Sequence, residues 1–346
     1  MALLTPLSGD EARALGERYG LAVVGVEGLV AGSVNSNFRL SLEGDGAAFL
    51  RVYEEQGTEG AAQEARLVEA LAEGGVATPR PMRVLGAPAT TLSLHAGKPV
   101  AVLPWVAGEM VCQRGVTPEH ARKVGAALAQ VHAVGARVEG AAESRFNLEA
   151  LGERLAGVRA QWEAGKGETG EARKKGDGVE VRSDVRADVE ALGEQVARLR
   201  EEAQALGAGP SVVIHGDLFR DNVLWRGGEI AALLDFESAS RGSAAFDLAV
   251  TALAWCFGDA LDARLVQAMG AGYASVRRLG REEEGRLFHE ARVAAVRFAV
   301  TRITDYELRP EGRQYRDYRR FLARLGAVEG LGPEGFARLL SPAAGG

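Results

Sequence analysis

Short runs in which apolar and polar residues alternate dominate the first hundred positions. Leu21 to Val30, Ser36 to Leu42 and Ala47 to Tyr53 are rich in Val, Leu and Phe and are separated by Gly-bearing turns such as Glu43-Gly-Asp-Gly46. That pattern predicts an antiparallel meander. Between Thr58 and Gly74 the period changes, because Ala61, Leu67, Val68 and Leu71 fall at helical spacing with Thr58 as N-cap and Gly74-Gly75 as the stop. It is the one helix the pattern predicts among these strands. Further strands are predicted near Pro81 to Leu85, Ala89 to Leu94 and Pro99 to Leu103. Beyond Pro104-Trp105 helical spacing takes over, beginning with Thr117 and Pro118 as N-cap and N1 of a helix that ends at Gly135. The change of character divides the chain into an N-terminal lobe, 1–104, and a helical lobe, 105–346.

Inside the second lobe, Glu163 to Gly178 has almost no apolar residues and holds three of the five lysines. The segment, about 163–184, is expected to be a solvated, mobile insertion. Val185, Val189, Leu192, Val196, Leu199 and Leu206 then form one helical stripe, and helices are expected again from Asp259 to Leu340. The fold class is therefore α+β, with no internal repeat.

Composition narrows the function. The 346 residues carry 41 cationic and 47 acidic side chains, a net charge of −6, so no global positive field draws the chain to nucleic acid or anionic lipid. The two cysteines, Cys112 and Cys256, lack metal-site or disulfide-scaffold spacing, as expected of a reducing compartment. With no basic-then-apolar leader and no run near the ~20 apolar residues of a spanning helix, a cytoplasmic location is expected. Arg outnumbers Lys 36 to five, a skew that codon bias alone can produce.

The chemistry concentrates in Ser211-Val-Val-Ile-His-Gly-Asp-Leu-Phe-Arg-Asp-Asn222 and the following Val-Leu-Trp-Arg-Gly-Gly-Glu-Ile-Ala-Ala-Leu-Leu-Asp235. An apolar strand delivers His215, Gly216 and Asp217 onto a loop. Gly227-Gly228 is a two-residue hairpin turn, so paired positions sum to about 455 and Asn222 falls opposite Leu233, two positions from Asp235. An amide oxygen and a carboxylate thus come within reach of one small cation, and Mg²⁺ prefers such oxygen ligands. Asp217 remains free to orient an attacking hydroxyl. A loop Asp on the nucleophile with an Asn and a hairpin Asp on the metal is the division of labour of kinase catalysis.

These residues, together with Phe-Asp247-Leu-Ala, resemble the aminoglycoside phosphotransferase and choline kinase superfamily, whose fold is that of the protein kinases. Gly32-Ser-Val-Asn-Ser-Asn-Phe38, Asp247-Leu-Ala-Val-Thr-Ala-Leu-Ala-Trp-Cys-Phe257 and Arg297-Phe-Ala-Val-Thr-Arg-Ile-Thr-Asp305 are similar to the bacterial type II homoserine kinases. The sequence departs from that family at Glu237, where an aromatic residue is usual, and at Leu253, where Asn is usual. The resemblance implies a bilobal kinase-like fold that binds ATP and Mg²⁺ between the lobes, with the hinge at Leu103-Pro104-Trp105. Gly32 and Ser33 would lie in the turn over the phosphates, Asn222 and Asp235 would hold Mg²⁺, and Asp247 would brace the catalytic loop.

Arg51 stands where kinases usually carry a phosphate-binding Lys. Glu64 lies on the same stripe as Leu67, Val68 and Leu71, so its carboxylate faces inward and needs a cation, which Arg51 supplies. Neither Lys98 nor Lys123 matches a phosphate-binding position, and no Walker A motif is present. His215 is expected to bond the loop backbone rather than act as base, and His132 to be a packed helix residue. A zwitterionic alcohol such as homoserine needs an acid for its ammonium and a forked cation for its carboxylate; Glu237, Arg302 and Asp305 are the candidates. Choline, an aminoglycoside, another amino alcohol and a protein Ser/Thr are rival acceptors. A nucleotide-binding pseudokinase is the rival from another class, set against the presence of Asp217, Asn222 and Asp235.

Overall fold

A computed structural model describes residues 4–29, 34–87, 89–167, 183–308 and 316–341. The chain begins with a helix that the alternating pattern did not predict, α1 (Gly9–Arg18). Its start is fixed by a capping box: the Ser8 hydroxyl accepts from the Glu11 amide, and the Glu11 carboxylate accepts from the Ser8 amide at 2.8 Å.

Five antiparallel strands follow: β1 (Val23–Leu29), β2 (Ser36–Leu42), β3 (Ala47–Val52), β4 (Leu92–His95) and β5 (Lys98–Pro104), in the spatial order β1-β2-β3-β5-β4. The strand expected near Pro81 to Leu85 is reduced to a Val84–Ala87 bridge, since Pro81 has no N–H to donate to a ladder. Leu40, Leu50, Val100 and Val102 alternate onto one face, where they pack with Ala12 and Leu15 of α1. The opposite face presents Tyr53 and Ala101 to Ala61 of α2 (Thr58–Glu73), and Arg51 shares that face. Gly57, not Thr58, is the N-cap of α2, and no side chain caps it.

The rest of the chain is mainly helical. α3 (Pro118–Gly135) begins with the Thr117 N-cap and Pro at N1, and α4 (Leu148–Gly167) and α5 (Ser183–Leu206) follow. Residues 163–167 continue α4 and Ser183 opens α5; the remainder of the expected insertion lies outside the described residues. Val185, Val189, Leu192, Val196 and Leu199 are buried as one stripe, whereas Leu206, at the helix end, is exposed. Next come β6 (Val212–Ile214), β7 (Val223–Arg226), β8 (Glu229–Leu233) and β9 (Ser240–Gly242), with β6 paired to β9 and β7 to β8. The apolar helix α6 (Ala244–Trp255) is packed by α7 (Ala263–Val276), α8 (Arg281–Arg302) and α9 (Arg319–Leu340), whose apolar residues form one continuous core. α8 runs into a π-helical turn, Ile303–Glu307, and α9 kinks at Gly332, where φ is +65°, ahead of Pro333. Among the described residues no helix is long and apolar enough to cross a membrane.

Candidate active site

β6 ends in a loop whose backbone is gripped from below. Asp247, fully buried near the start of α6, accepts from the His215 amide at 2.7 Å and the Gly216 amide at 2.8 Å, and its Oδ2 lies 3.0 Å from His132 Nε2. Burial pushes this carboxyl up, but the hydrogen bonds from His132 and the Gly216 amide help bring it below the ordinary aspartate value. His132 bonds Tyr273 through its other nitrogen at 2.7 Å, so α3, α6 and α7 meet beneath the loop. From above, the Trp255 indole donates to the Leu218 carbonyl at 3.0 Å and Arg297 donates to the Gly216 carbonyl. Gly216 has φ +75°, and a Cβ there would stand 2.8 Å from the Ser238 carbonyl oxygen, so glycine is required.

His215 spends both ring nitrogens on backbone. Nδ1 accepts from the Asp217 amide at 3.3 Å and Nε2 donates to the Leu234 carbonyl at 3.0 Å, tying the loop to the hairpin. Burial lowers its pKa, in keeping with a neutral ring that accepts at one nitrogen and donates at the other.

The β7–β8 hairpin pairs Arg226 with Glu229 and Trp225 with Ile230 as expected, but a bulge between Leu224 and Trp225 shifts the register, so Val223 faces Leu233. Asn222 therefore falls opposite Leu234, whose amide donates to the Asn222 carbonyl at 2.9 Å, and stands one position nearer to Asp235 than an unbroken ladder would put it. The Asn222 amide nitrogen donates to the Asp217 carbonyl at 2.8 Å, which leaves its side-chain oxygen as the end available to a cation. Asp235 has φ +63°, a left-handed conformation that ends the strand and aims the carboxylate out of the hairpin. Asp217 is half-buried. Burial, and secondarily the charges of Asp235 and Asp221, push its carboxyl up to about 7 against the opposing pull of Arg297 and Arg316.

Across from the hairpin, Arg51 of β3 places Nη1 3.1 Å from Asp235 Oδ1 and 3.5 Å from Glu64 Oε1, and its Nε donates to Asn37 at 3.3 Å. Glu64 is buried, and desolvation lifts its carboxyl to about 7 even beside the guanidinium. Lys98 and Lys123 are engaged elsewhere: Lys98 pairs with Glu54, and Lys123 with Glu229 at 2.6 Å. Leu103 faces Phe49 across the β3–β5 pair, and Trp105, just beyond, carries the Arg39 guanidinium over its ring at 5.3 Å. Gly32 and Ser33 lie outside the described residues.

The three residues nominated for a zwitterion do not form one cluster. Glu237 takes a hydrogen bond from Asn35 at 2.9 Å and lies 3.7 Å from Arg145, on the side of Arg51 and Glu64. Arg302, at the end of α8, stacks over Phe321 at 4.5 Å and donates to the Asp317 carbonyl. Asp305, in the π-helical turn, pairs with Arg154 at 2.9 Å. Burial and the neighbouring charges of Arg316 and Arg320 lower the Arg302 pKa to about 10, while Asp217 pulls the other way. An excess of guanidinium charge beside the loop suits an anionic group there.

The sequence pattern assigns no site or bracing role to Arg145, Arg297, Asn35 or His132. His132 shares the buried stripe of α3 with Ala121, Val124, Leu128 and Ala129, and that spacing together with an acid in apolar α6 was the available signal for its pair with Asp247.

Among the described residues no cluster of three or more His, Cys, Asp and Glu side chains forms a metal cage. One carboxylate and one amide oxygen, from Asp235 and Asn222, instead match a divalent ion that keeps water and phosphate oxygens as its other ligands.

Comparison with known proteins bears on the family and the fold. A family model described as "Phosphotransferase enzyme family" matches residues 25–279. A homoserine kinase of Methylocella silvestris is 33% identical over 321 residues, covering 90% of each chain. A homoserine kinase of Chelativorans sp. is 34% identical over 334 residues, covering 94% of this chain and 95% of that one. Among solved structures, an amicoumacin kinase in complex with AMP-PNP, Ca²⁺ and Ami superposes with a TM-score of 0.66 at 14% identity, covering 96% of this chain and 95% of that one. A choline/ethanolamine kinase family protein from Mesorhizobium loti gives 0.60 at 18% identity, covering 96% and 97%. The fold is accordingly that of the kinase-like small-molecule phosphotransferases.

Proposed function

The chain belongs to the phosphotransferase enzyme family, and from that premise we propose that it transfers the γ-phosphoryl group of ATP to the hydroxyl of L-homoserine. The observation that carries the reading is the meeting of Arg51 from the N-terminal sheet with Asp235 on the hairpin, at 3.1 Å, beside Asn222 and the Asp217 loop. Names of relatives over nearly the whole chain support homoserine as the acceptor, and so does the arginine surplus around Arg302, which suits a carboxylate.

In this reading Arg51, held by Glu64, grips the ATP phosphates through its forked donors, with the adenine near Leu103 and Trp105. Asn222 and Asp235 hold Mg²⁺, which when bound neutralises charge on the phosphate oxygens. Asp217 orients the acceptor hydroxyl and takes its proton as the new P–O bond forms and the bond to the ADP oxygen breaks. Asp247 and His215 keep the loop from moving, so that reacting atoms stay aligned. Arg302 receives the acceptor's carboxylate, with Asp305 the nearby acid for its ammonium; Glu237, on the far side of Asp235, takes no direct part in this pose. The expected setting is threonine biosynthesis in the cytoplasm.

The test is ADP release with Mg-ATP against homoserine, choline, ethanolamine and kanamycin. Homoserine is expected to give the highest kcat/KM. Turnover of homoserine no faster than the ATPase background would overturn the substrate assignment while leaving the family intact.

A further inference from the structure

Beside the hairpin lies a cavity of about 550 Å³, walled by α2, by the segment after α3 and by the turn that follows Asp235. Neither Asp217 nor Asn222 lines it, so a molecule inside it could not present a hydroxyl for phosphoryl transfer. Part of its wall is apolar, with Leu67, Ala70, Val138 and Phe236.

The cavity also gathers buried polar atoms that have no hydrogen-bond partner among the described residues: Gln56 Oε1, Glu64 Oε2, Glu237 Oε1 and Ser240 Oγ. Three are amide or carboxylate oxygens that accept, and the fourth, a hydroxyl, both accepts and donates. Orphan buried acceptors are uncommon and costly, and four around one space point to a donor-rich occupant. Glu237 is the sharpest case. Its side chain is 10% exposed, one oxygen is occupied by Asn35, and the other stands 3.7 Å from Arg145 Nη2 without hydrogen-bonding it. A carboxylate oxygen and a guanidinium set side by side at that spacing complement a molecule carrying its own ammonium and carboxylate on adjacent atoms.

We propose that this cavity is a second ligand site, adjoining the phosphoryl-transfer site at Glu64 but without Asp217 or Asn222 in its wall, for a zwitterionic α-amino acid with an apolar side chain. The ammonium sits on Glu237 Oε1 and Gln56 Oε1, the carboxylate meets Arg145, and the side chain lies against Leu67, Val138 and Phe236. The volume is within the range of small-molecule pockets, and the pairing uses charge-assisted bonds at both ends of the ligand.

Isothermal titration of the full chain with L-leucine and L-methionine tests this, with methylammonium and acetate as single-charge controls. Neither amino acid has a hydroxyl, so the result is independent of whether homoserine is phosphorylated. Saturable one-to-one binding of at least one amino acid is expected. It should weaken by about tenfold or more in both Arg145→Met and Gln56→Leu, as loss of a charge-assisted or a neutral hydrogen bond implies, and persist in Arg302→Met. Melting curves establish that each variant is folded, and using two variants on opposite walls guards against a local collapse. No saturable heat at concentrations on the order of 10 mM, binding lost only in Arg302→Met, or methylammonium binding as tightly as the amino acids would each overturn the proposal.

Discussion

Replacing Asp217 with Asn separates catalysis from stability in one substitution. The carboxyl is held at about 7 rather than 3.8, chiefly by burial. A carboxyl raised by folding binds protons more tightly in the native chain than in the unfolded one. Its ionisation therefore subtracts from stability as pH rises from about 4 to 7, and the loss is complete above 7. At 1.36 kcal/mol per pH unit the full effect is about 4 kcal/mol, and partial solvation of the site brings it to about 2–4 kcal/mol. Asparagine has nearly the same shape and no charge, so Asp217→Asn should be more stable than the parent by about that amount at pH 8, a rise in melting temperature of about 3–6 °C. At pH 4 the difference should nearly vanish. Turnover should meanwhile fall by about 10²–10⁴, the range for a lost positioned base. The assay is thermal unfolding of the metal-free chain in EDTA at pH 4 and 8, alongside initial rates with Mg-ATP. A variant less stable than the parent at pH 8 would refute the electrostatic reasoning, and one with wild-type turnover would refute the assigned base.

Arg51→Met should raise the KM for ATP and lower kcat, while Arg51→Lys retains part of the activity because a cation still faces Glu64 and the phosphates; equal losses in initial-rate kinetics would contradict the grip on phosphate. Asp247→Ala strands two loop amides and should cost about 3–5 kcal/mol in urea unfolding, and a loss below about 1 kcal/mol would mean that the brace is dispensable. Arg302→Met should raise KM for homoserine by about tenfold or more without changing KM for 3-aminopropanol, which lacks the carboxylate; parallel increases would remove Arg302 from the substrate site.

The central constellation was readable because its residues are close in sequence or fixed by short-range geometry. A loop after an apolar strand, a Gly-Gly turn and a helix stripe with one misplaced acid put Asp217, Asn222, Asp235 and Glu64 on the same map. The unread parts have physical causes. Helix α1 buries only Ala12, Leu15 and Gly16, too little apolar side chain for periodicity, and its clearest signal is the Ser8–Glu11 capping box. The hairpin bulge depends on packing around Trp225, which also pairs with Glu109 from a distant segment. Side-chain partners chosen across the fold, such as Asn35 with Glu237 or Arg154 with Asp305, have no local pattern at all. For that reason the three proposed zwitterion contacts, each plausible alone, fall on two sides of the site.

Phosphorus NMR of the reaction mixture follows the transferred phosphoryl group itself. With Mg-ATP and L-homoserine, ADP and a new phosphate monoester on the homoserine hydroxyl are expected in equal amounts, both absent with Asp217→Asn on the same timescale. ADP accompanied only by inorganic phosphate, or a phosphoester formed in preference on choline or kanamycin in a competing mixture, would contradict phosphoryl transfer to homoserine.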